Sequence, residues 1–145
     1  FYRQASDAST VQRSMQMTLD QIENLVIDTN KSISYSVGGQ ATQSDLGSQD
    51  SQEKILILES VQGENTQHKE ILKWNPDEKK LYCNYNSDRA TDMKVMAENI
   101  SAFSADISQA VSDGIVRFQI TIQKKDKEMT QTYTVTLRNQ LGADS

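Results

Sequence analysis

Histidine and cysteine are almost absent from this 145-residue sequence, which contains only His68 and Cys83. A single cysteine excludes an internal disulfide and any metal site built on paired cysteines. A Ser-His-Asp or Cys-His centre would have to use His68, which stands in a polar run typical of a solvated surface residue. Cys83 falls in an alternating run, which favours a small buried residue over a reactive thiol. No catalytic residue is assigned, and the chain is not expected to be an enzyme.

Positive charge is also scarce, with 15 Lys and Arg against 20 Asp and Glu and a net charge of -5. A polyanion is repelled by such a field, and no basic stripe interleaves with aromatic residues. Nucleic acid is therefore not expected as the main partner.

Motifs for ions and phosphates are missing as well. Gly38 and Gly39 lack the spacing of a phosphate-binding loop. Asp45 and Asp50 lie in a Gly/Ser-rich stretch but lack the residue pattern of a calcium loop. We expect no cofactor and no bound metal.

The sequence has neither a starting methionine nor a hydrophobic run long enough to span a bilayer. It begins at Phe1 inside a helical pattern, with no capping Ser, Thr, Asp or Asn before it. Phe1, Tyr2 and Arg3 follow the order in which a membrane helix often leaves a bilayer, aromatic residues first and then a cation. The expectation is a chain that begins within a longer helix, whose membrane-spanning part lies upstream.

The sequence does contain one long amphipathic segment, residues 5–34, without Pro or Gly. At about 100° per residue, its apolar and small side chains fall in a single sector. They are Ala8, Val11, Met15, Thr18, Leu19, Ile22, Leu25, Val26, Thr29 and Ile33. This spacing predicts a helical region over 1–37, stopped by Gly38 and Gly39, and a polar surface loop over 38–52.

Residues 53–139 change to the spacing of strands, ahead of a tail at 140–145. The run 55–58 is apolar on both faces, as in a central strand covered by a helix. An Asn-Pro-Asp turn predicts a hairpin between 68–74 and 80–85.

A charged loop at 124–128 predicts a second hairpin, because the segments 116–122 and 133–137 on either side of it alternate apolar and polar residues. In the stretch 94–111 helical and strand spacing overlap, and periodicity alone leaves both open. The interpretation we favour there is a turn near 97–101 followed by a strand.

One N-terminal helix followed by strands predicts a single domain over residues 1–145 of the α+β class. In this prediction a long N-terminal helix packs on one face of a mainly antiparallel sheet, and its apolar stripe meets the inward residues of the strands.

The order of these elements resembles the type IV pilin and type II secretion pseudopilin family. Three segments carry the closer resemblance: MAENISAFS at 96–104, VRFQI at 116–120 and VTLRN at 135–139. They look like the (A)xxIxxF turn, the penultimate strand and the closing hydrophobic-x-Leu-Arg-Asn of J-type minor pseudopilins and W-type minor pilins.

The resemblance implies a pilin-like fold and a structural role, in which the chain helps to initiate or cap assembly of a type IV pilus or secretion pseudopilus. Its partners would be other pilin-like subunits in a hetero-oligomer, and the membrane through a missing N-terminal helix. Its location would be the cell envelope or exterior, after anchoring in the cytoplasmic membrane.

Three apolar residues are candidates for contacts with partner subunits. Tyr2, Met17 and Ile27 lie about 120–200° from the centre of the apolar sector, where the chain's own sheet does not cover them. The alternative is that they are ordinary scattered surface residues.

Three aromatic residues, Trp74, Tyr82 and Tyr85, cluster around the first hairpin. Exposed together, they would form a ligand patch. The interpretation we favour is that Trp74 staples the hairpin by cross-strand packing. The functional alternative to an assembly subunit is a fibre-tip adhesin or a DNA- or ligand-binding module, and a small secreted enzyme ranks last.

Overall fold

Antiparallel strands dominate the protein. A computed structural model describes residues 2–48, 51–62, 66–84 and 93–141, and the side chains of the first helix from Thr10 onward. Strand residues clearly outnumber helical residues in the described ranges, and the strands form two separate sheets. The predicted fold class, α+β with a long N-terminal helix packed on one sheet, is therefore wrong.

The first helix, α1 (Tyr2–Val26), ends well before residue 34. The residues that follow it, from Ile27 to Asn30, are β-branched or short and polar, and both types favour helices poorly. The Asn30 side chain instead donates to the backbone carbonyl of Val61 at 2.9 Å and accepts from its N–H at 2.8 Å. These bonds tie the end of the helix to a strand, as competing side chain–backbone bonds do.

The next residues form a strand, β1 (Ser32–Val37), which pairs antiparallel with β3 (Lys54–Gln62). Its sequence, Ser-Ile-Ser-Tyr-Ser-Val, alternates with the period of a strand. The predictions of a helix to residue 34 and of a helical region to residue 37 are therefore wrong at their C-terminal ends.

Four further strands are β2 (Gln40–Ala41), β4 (Thr66–Asn75), β5 (Lys80–Cys83) and β6 (Lys94–Ala97). Within the described ranges, the first sheet has six strands in the order β2–β1–β3–β4–β5–β6. The predicted hairpin around Pro76 is confirmed, because β4 and β5 pair antiparallel across it. The Asn75 side-chain oxygen accepts from the N–H groups of Asp77 and Glu78 at 3.0 and 3.1 Å and closes this turn.

The second sheet contains β7 (Ile100–Asp106), β8 (Ile115–Lys124) and β9 (Lys127–Thr136), in that order. The predicted hairpin over the charged loop is confirmed as β8–β9. Lys125 occupies the left-handed region in its turn, with φ of 54°. The predicted turn before β7 is confirmed too, with Asn99 at φ 62°. A short helix, α2 (Ala110–Asp113), joins β7 to β8.

Helix α1 packs mainly on β9 and β8, and it also reaches β6. The apolar stripe predicted for it is buried at Val11, Met15, Thr18, Leu19, Ile22 and Val26. Both sheets join the helix in one hydrophobic core, in which the rings of Phe103 and Phe118 lie 6.1 Å apart. Neither helix in the described ranges is long and apolar enough to cross a bilayer.

Candidate functional site

The most unusual residue of the core is a lysine. Lys54 opens strand β3 and occupies the inward side of the same alternation as Leu56 and Leu58. Its side chain has no solvent exposure. A lysine is almost never fully buried unless its charge is paired.

Two oxygens and one aromatic ring surround the Lys54 amine. Nζ lies 2.6 Å from Oδ2 of Asp45 and donates to the backbone carbonyl of Phe103 at 2.5 Å. It also stands 5.4 Å from the ring centroid of Trp74, the residue opposite it in the β3–β4 ladder. The charge is thus met by a carboxylate, a carbonyl dipole and the face of an indole.

The carboxylate of Asp45 is held equally firmly. Its Oδ1 accepts from the Tyr35 hydroxyl at 2.7 Å and from the Ala105 N–H at 3.0 Å. Its own N–H donates to the Ala105 carbonyl at 3.1 Å. Asp45 therefore docks on the edge of β7 while its side chain reaches into the first sheet.

The segment 38–52, predicted as a polar surface loop, is mostly irregular and exposed where it is described, and this docking attaches it to β7. Strand β2 occupies its beginning, and Ser44 forms an isolated bridge with Asp106 next to the Asp45 contacts. The Ile107 N–H donates to the Gln43 carbonyl at 2.8 Å on the same edge. The described part of the segment thus connects the two sheets, although its composition is that of a solvated linker.

We call Lys54, Asp45, Tyr35 and Trp74 the buried lysine cluster. Lys54, Tyr35 and Trp74 come from three strands and Asp45 from the connection between β2 and β3, and the backbone of β7 supplies the remaining partners. A buried ion pair costs several kcal/mol of desolvation per ion, and close geometry with further hydrogen bonds offsets that cost. The cluster fixes the position of one sheet relative to the other.

The Tyr35 hydroxyl of this cluster is expected to make the free energy of unfolding fall as the pH rises into the alkaline range. Burial, and then the hydrogen bond and charge of Asp45, raise the pKa of Tyr35 above its ordinary 10.0. The unfolded chain loses the phenolic proton above pH 10, whereas the folded protein keeps it. The Tyr35 contribution is therefore complete below pH 10 and falls by about 1.4 kcal/mol per pH unit above it.

Replacing Tyr35 by phenylalanine is expected to remove this contribution to the decrease of the unfolding free energy with pH. Urea unfolding of both proteins at several values above pH 10 measures it. Tyr82→Phe is the comparison: the hydrogen bond to Glu78 also raises the pKa of Tyr82, but solvent screens this exposed site, so a smaller change in slope is expected there. Equal slopes for wild type and Tyr35→Phe would contradict the prediction.

The structure does not bring the three predicted aromatic residues together on a surface. Trp74 is buried, and its indole N–H donates to the Ile100 carbonyl at 3.0 Å. Tyr82 lies on the opposite face of the hairpin from its neighbour Leu81, which is buried. Tyr85 lies outside the described residues. Trp74 is thus placed in the core by cross-strand packing.

The three predicted contact residues lie in different settings. Met17 is 56% exposed on α1 and, with Met96, Glu98 and Lys124, lines a groove beside the β6–β7 turn. Ile27 follows the end of the helix and packs partly buried against the core. The side chain of Tyr2 lies outside the described part of α1.

His68 and Cys83 occupy separate places on the first sheet. Nε2 of His68 lies 3.0 Å from Oε1 of Glu70, and both side chains are half-buried. Burial raises the pKa of Glu70, and the bond to His68 opposes that shift. Cys83 is buried, as predicted. Among the residues that the structure describes, no group of three His, Cys, Asp or Glu could hold a metal ion.

Sequence reasoning missed the buried lysine cluster, although one signal was present. Lys54 stands two residues before Leu56 and four before Leu58, on the inward side of a strand. A charge at such a position indicates a buried partner, and the partner Asp45 lies in a segment whose composition concealed it.

Comparison with known proteins adds no relative: no family model, no curated protein and no solved structure matches the chain.

Proposed function

We propose that this chain is a structural subunit of an envelope fibre, a minor pilin or pseudopilin that takes part in initiating or capping assembly, and that it is not an enzyme. Its partners are other pilin-like subunits, and it is held in the cytoplasmic membrane by an upstream helix before it enters the fibre. The support in the sequence is the resemblance of the segments at 96–104, 116–120 and 135–139. The geometry adds the outward face of α1.

Met17 on that face carries the proposal. Its neighbours on the same side of the helix are polar and exposed: Arg13, Gln16, Asp20 and Asn24. A methionine left 56% exposed among them forgoes much of the roughly 1.5–3 kcal/mol that full burial provides. A partner helix laid along this face would recover that free energy, and the flexible thioether adapts to such contacts.

The test is co-purification with the other pilin-like proteins of the same genome, using the full gene product in its host. Met17→Asp is expected to weaken capture of the partner by about tenfold or more, because the charge would be desolvated in the interface. Gln12→Asp introduces the same charge on the same helix, about 140° away, and is expected to leave capture unchanged. Retention of every partner by Met17→Asp would contradict the proposal.

A polar cleft supports a second candidate, a fibre-tip binding module. It is lined by the hydroxyl and amide side chains of Ser101, Gln119, Thr121 and Thr130 and by Glu128. Such a lining suits an uncharged, hydrogen-bonding ligand. Loss of adhesion or ligand capture in Gln119→Ala, with fibre assembly intact, would favour this candidate over the first.

A further inference from the structure

We propose that Lys54 and Asp45 form a covalent cross-link, in which the lysine amine condenses with the aspartate carboxyl to give an amide and one water. The two side chains belong to different segments, and their reacting groups are in contact, with Nζ 2.6 Å from Oδ2. This inference does not depend on the proposed function, since it concerns only the buried lysine cluster.

The Lys54 amine is buried and held in a fixed direction, as a nucleophile must be. The Lys54 side chain has no solvent exposure, so water does not compete for the amine, and the Asp45 side chain is only 10% exposed. The Phe103 carbonyl accepts one of its hydrogens and fixes the direction of Nζ. Fixed reactants of this kind have effective concentrations of roughly 10⁵–10⁸ M in intramolecular reactions.

The Asp45 carboxyl is activated through Oδ1, the oxygen that does not face Lys54. Oδ1 accepts hydrogen bonds from the Tyr35 hydroxyl at 2.7 Å and the Ala105 N–H at 3.0 Å. Two donors on one oxygen are the arrangement that stabilises the negative charge of a tetrahedral intermediate. Oδ2, the oxygen that would leave, faces the amine that would protonate it.

The reaction balances without any other reagent. A proton passes from the Lys54 ammonium to Oδ2 of Asp45, which gives a neutral amine and a neutral carboxylic acid. The nitrogen lone pair then attacks Cγ, the C–N bond forms, and the charge moves to Oδ1. A second proton passes from nitrogen to Oδ2, the C–Oδ2 bond breaks, and water leaves.

The surroundings favour the product. In a site closed to solvent, a neutral amide avoids the desolvation cost that two buried charges carry. The amide carries no charge, and its single N–H retains the Phe103 carbonyl as acceptor. The Tyr35 and Ala105 donors continue to serve the amide oxygen, which leaves no buried polar group without a partner.

Intact-mass spectrometry of the purified, denatured protein tests the proposal. The cross-linked chain is expected to be lighter than its sequence mass by about 18 Da, the mass of one water. Trypsin is expected not to cut after Lys54, because its amine is an amide, and to release residues 32–69 as one peptide lighter by the same mass. A full sequence mass after prolonged incubation of the folded protein, with cleavage after Lys54, overturns the proposal.

Two variants separate this bond from other losses of water. Lys54→Arg keeps the charge but has no amine to condense, so its full sequence mass is expected. A deficit that persists in Lys54→Arg would come from Asp45 closing on its own backbone and would also overturn the proposal. Tyr35→Phe removes one donor to Oδ1 and is expected to slow the reaction roughly a hundredfold, so that the full-mass chain accumulates.

Discussion

Replacing Lys54 by alanine is expected to lower the free energy of unfolding by about 3–5 kcal/mol, the range for a buried pair that loses one partner. The Asp45 carboxyl would lose its counterion, and the Phe103 carbonyl would lose a donor. The loss is expected whether the Lys54–Asp45 contact is an ion pair or an amide, since alanine removes both. Urea unfolding followed by circular dichroism measures it.

Lys31→Ala is the matched control, because Lys31 is exposed just before β1. Its expected effect is within about 0.5 kcal/mol, as for most surface substitutions. A loss at Lys54 no larger than at Lys31 would contradict the role given to the buried lysine cluster.

A double variant separates the charge from the packing. Asp45→Asn alone leaves the Lys54 ammonium buried without a counterion, whereas Lys54→Met with Asp45→Asn removes both charges and keeps an oxygen for Tyr35 and Ala105. Because buried pairs are often matched by apolar replacements, the double variant is expected to be more stable than either single one. Additive losses in the double variant would contradict strong coupling between the two residues.

The hairpins within residues 53–139 could be predicted from sequence because the patterns that indicate them are local. Val116, Phe118, Ile120 and Ile122 alternate with polar residues, and the structure buries all four. The two hairpins carry turn residues that act at short range, a proline in one and charged residues in the other. No long-range information was needed to place them.

The predicted end of the first helix was wrong because the helical and strand periodicities overlap there. Thr29 and Ile33 fall in the same helical sector as Val26, so counting apolar residues on a wheel extended the helix through them. The Ser-Ile-Ser-Tyr-Ser-Val alternation was equally visible and describes the structure better. The pairing of β1 with β3 decides between the two, and this long-range contact is not written in either segment alone.

The buried lysine cluster was not predicted for a different reason. Asp45 was weighed only as a calcium ligand, since its neighbours are Gly, Ser and Gln. Its carboxylate acts on residues far away along the chain, among them Ala105 of β7. A cluster assembled from distant segments leaves no spacing motif, and only the fold brings its members together.

Replacing Trp74 by alanine is expected to cost about 3–5 kcal/mol of stability, as for other buried aromatic residues. Three interactions are lost together: the packing of a side chain only 2% exposed, the indole N–H bond to the Ile100 carbonyl, and the ring beside the Lys54 amine. The cavity would lie where β4 meets the beginning of β7, so the two sheets would lose contact at this point. Denaturant unfolding of the folded variant gives the number.

Tyr82→Ala provides the contrast, because Tyr82 belongs to the same hairpin but faces away from the core. It loses a hydroxyl bond to Glu78 and some cross-strand contact, so its cost is expected to stay near 1 kcal/mol or below. Trp74 is the single tryptophan, and its emission in the wild type is expected to be that of an apolar site and to shift to the red on unfolding. Equal losses of unfolding free energy in the two alanine variants, together with an emission spectrum typical of an exposed tryptophan, would contradict the buried position of Trp74. They would favour the alternative in which Trp74 belongs to an exposed ligand patch.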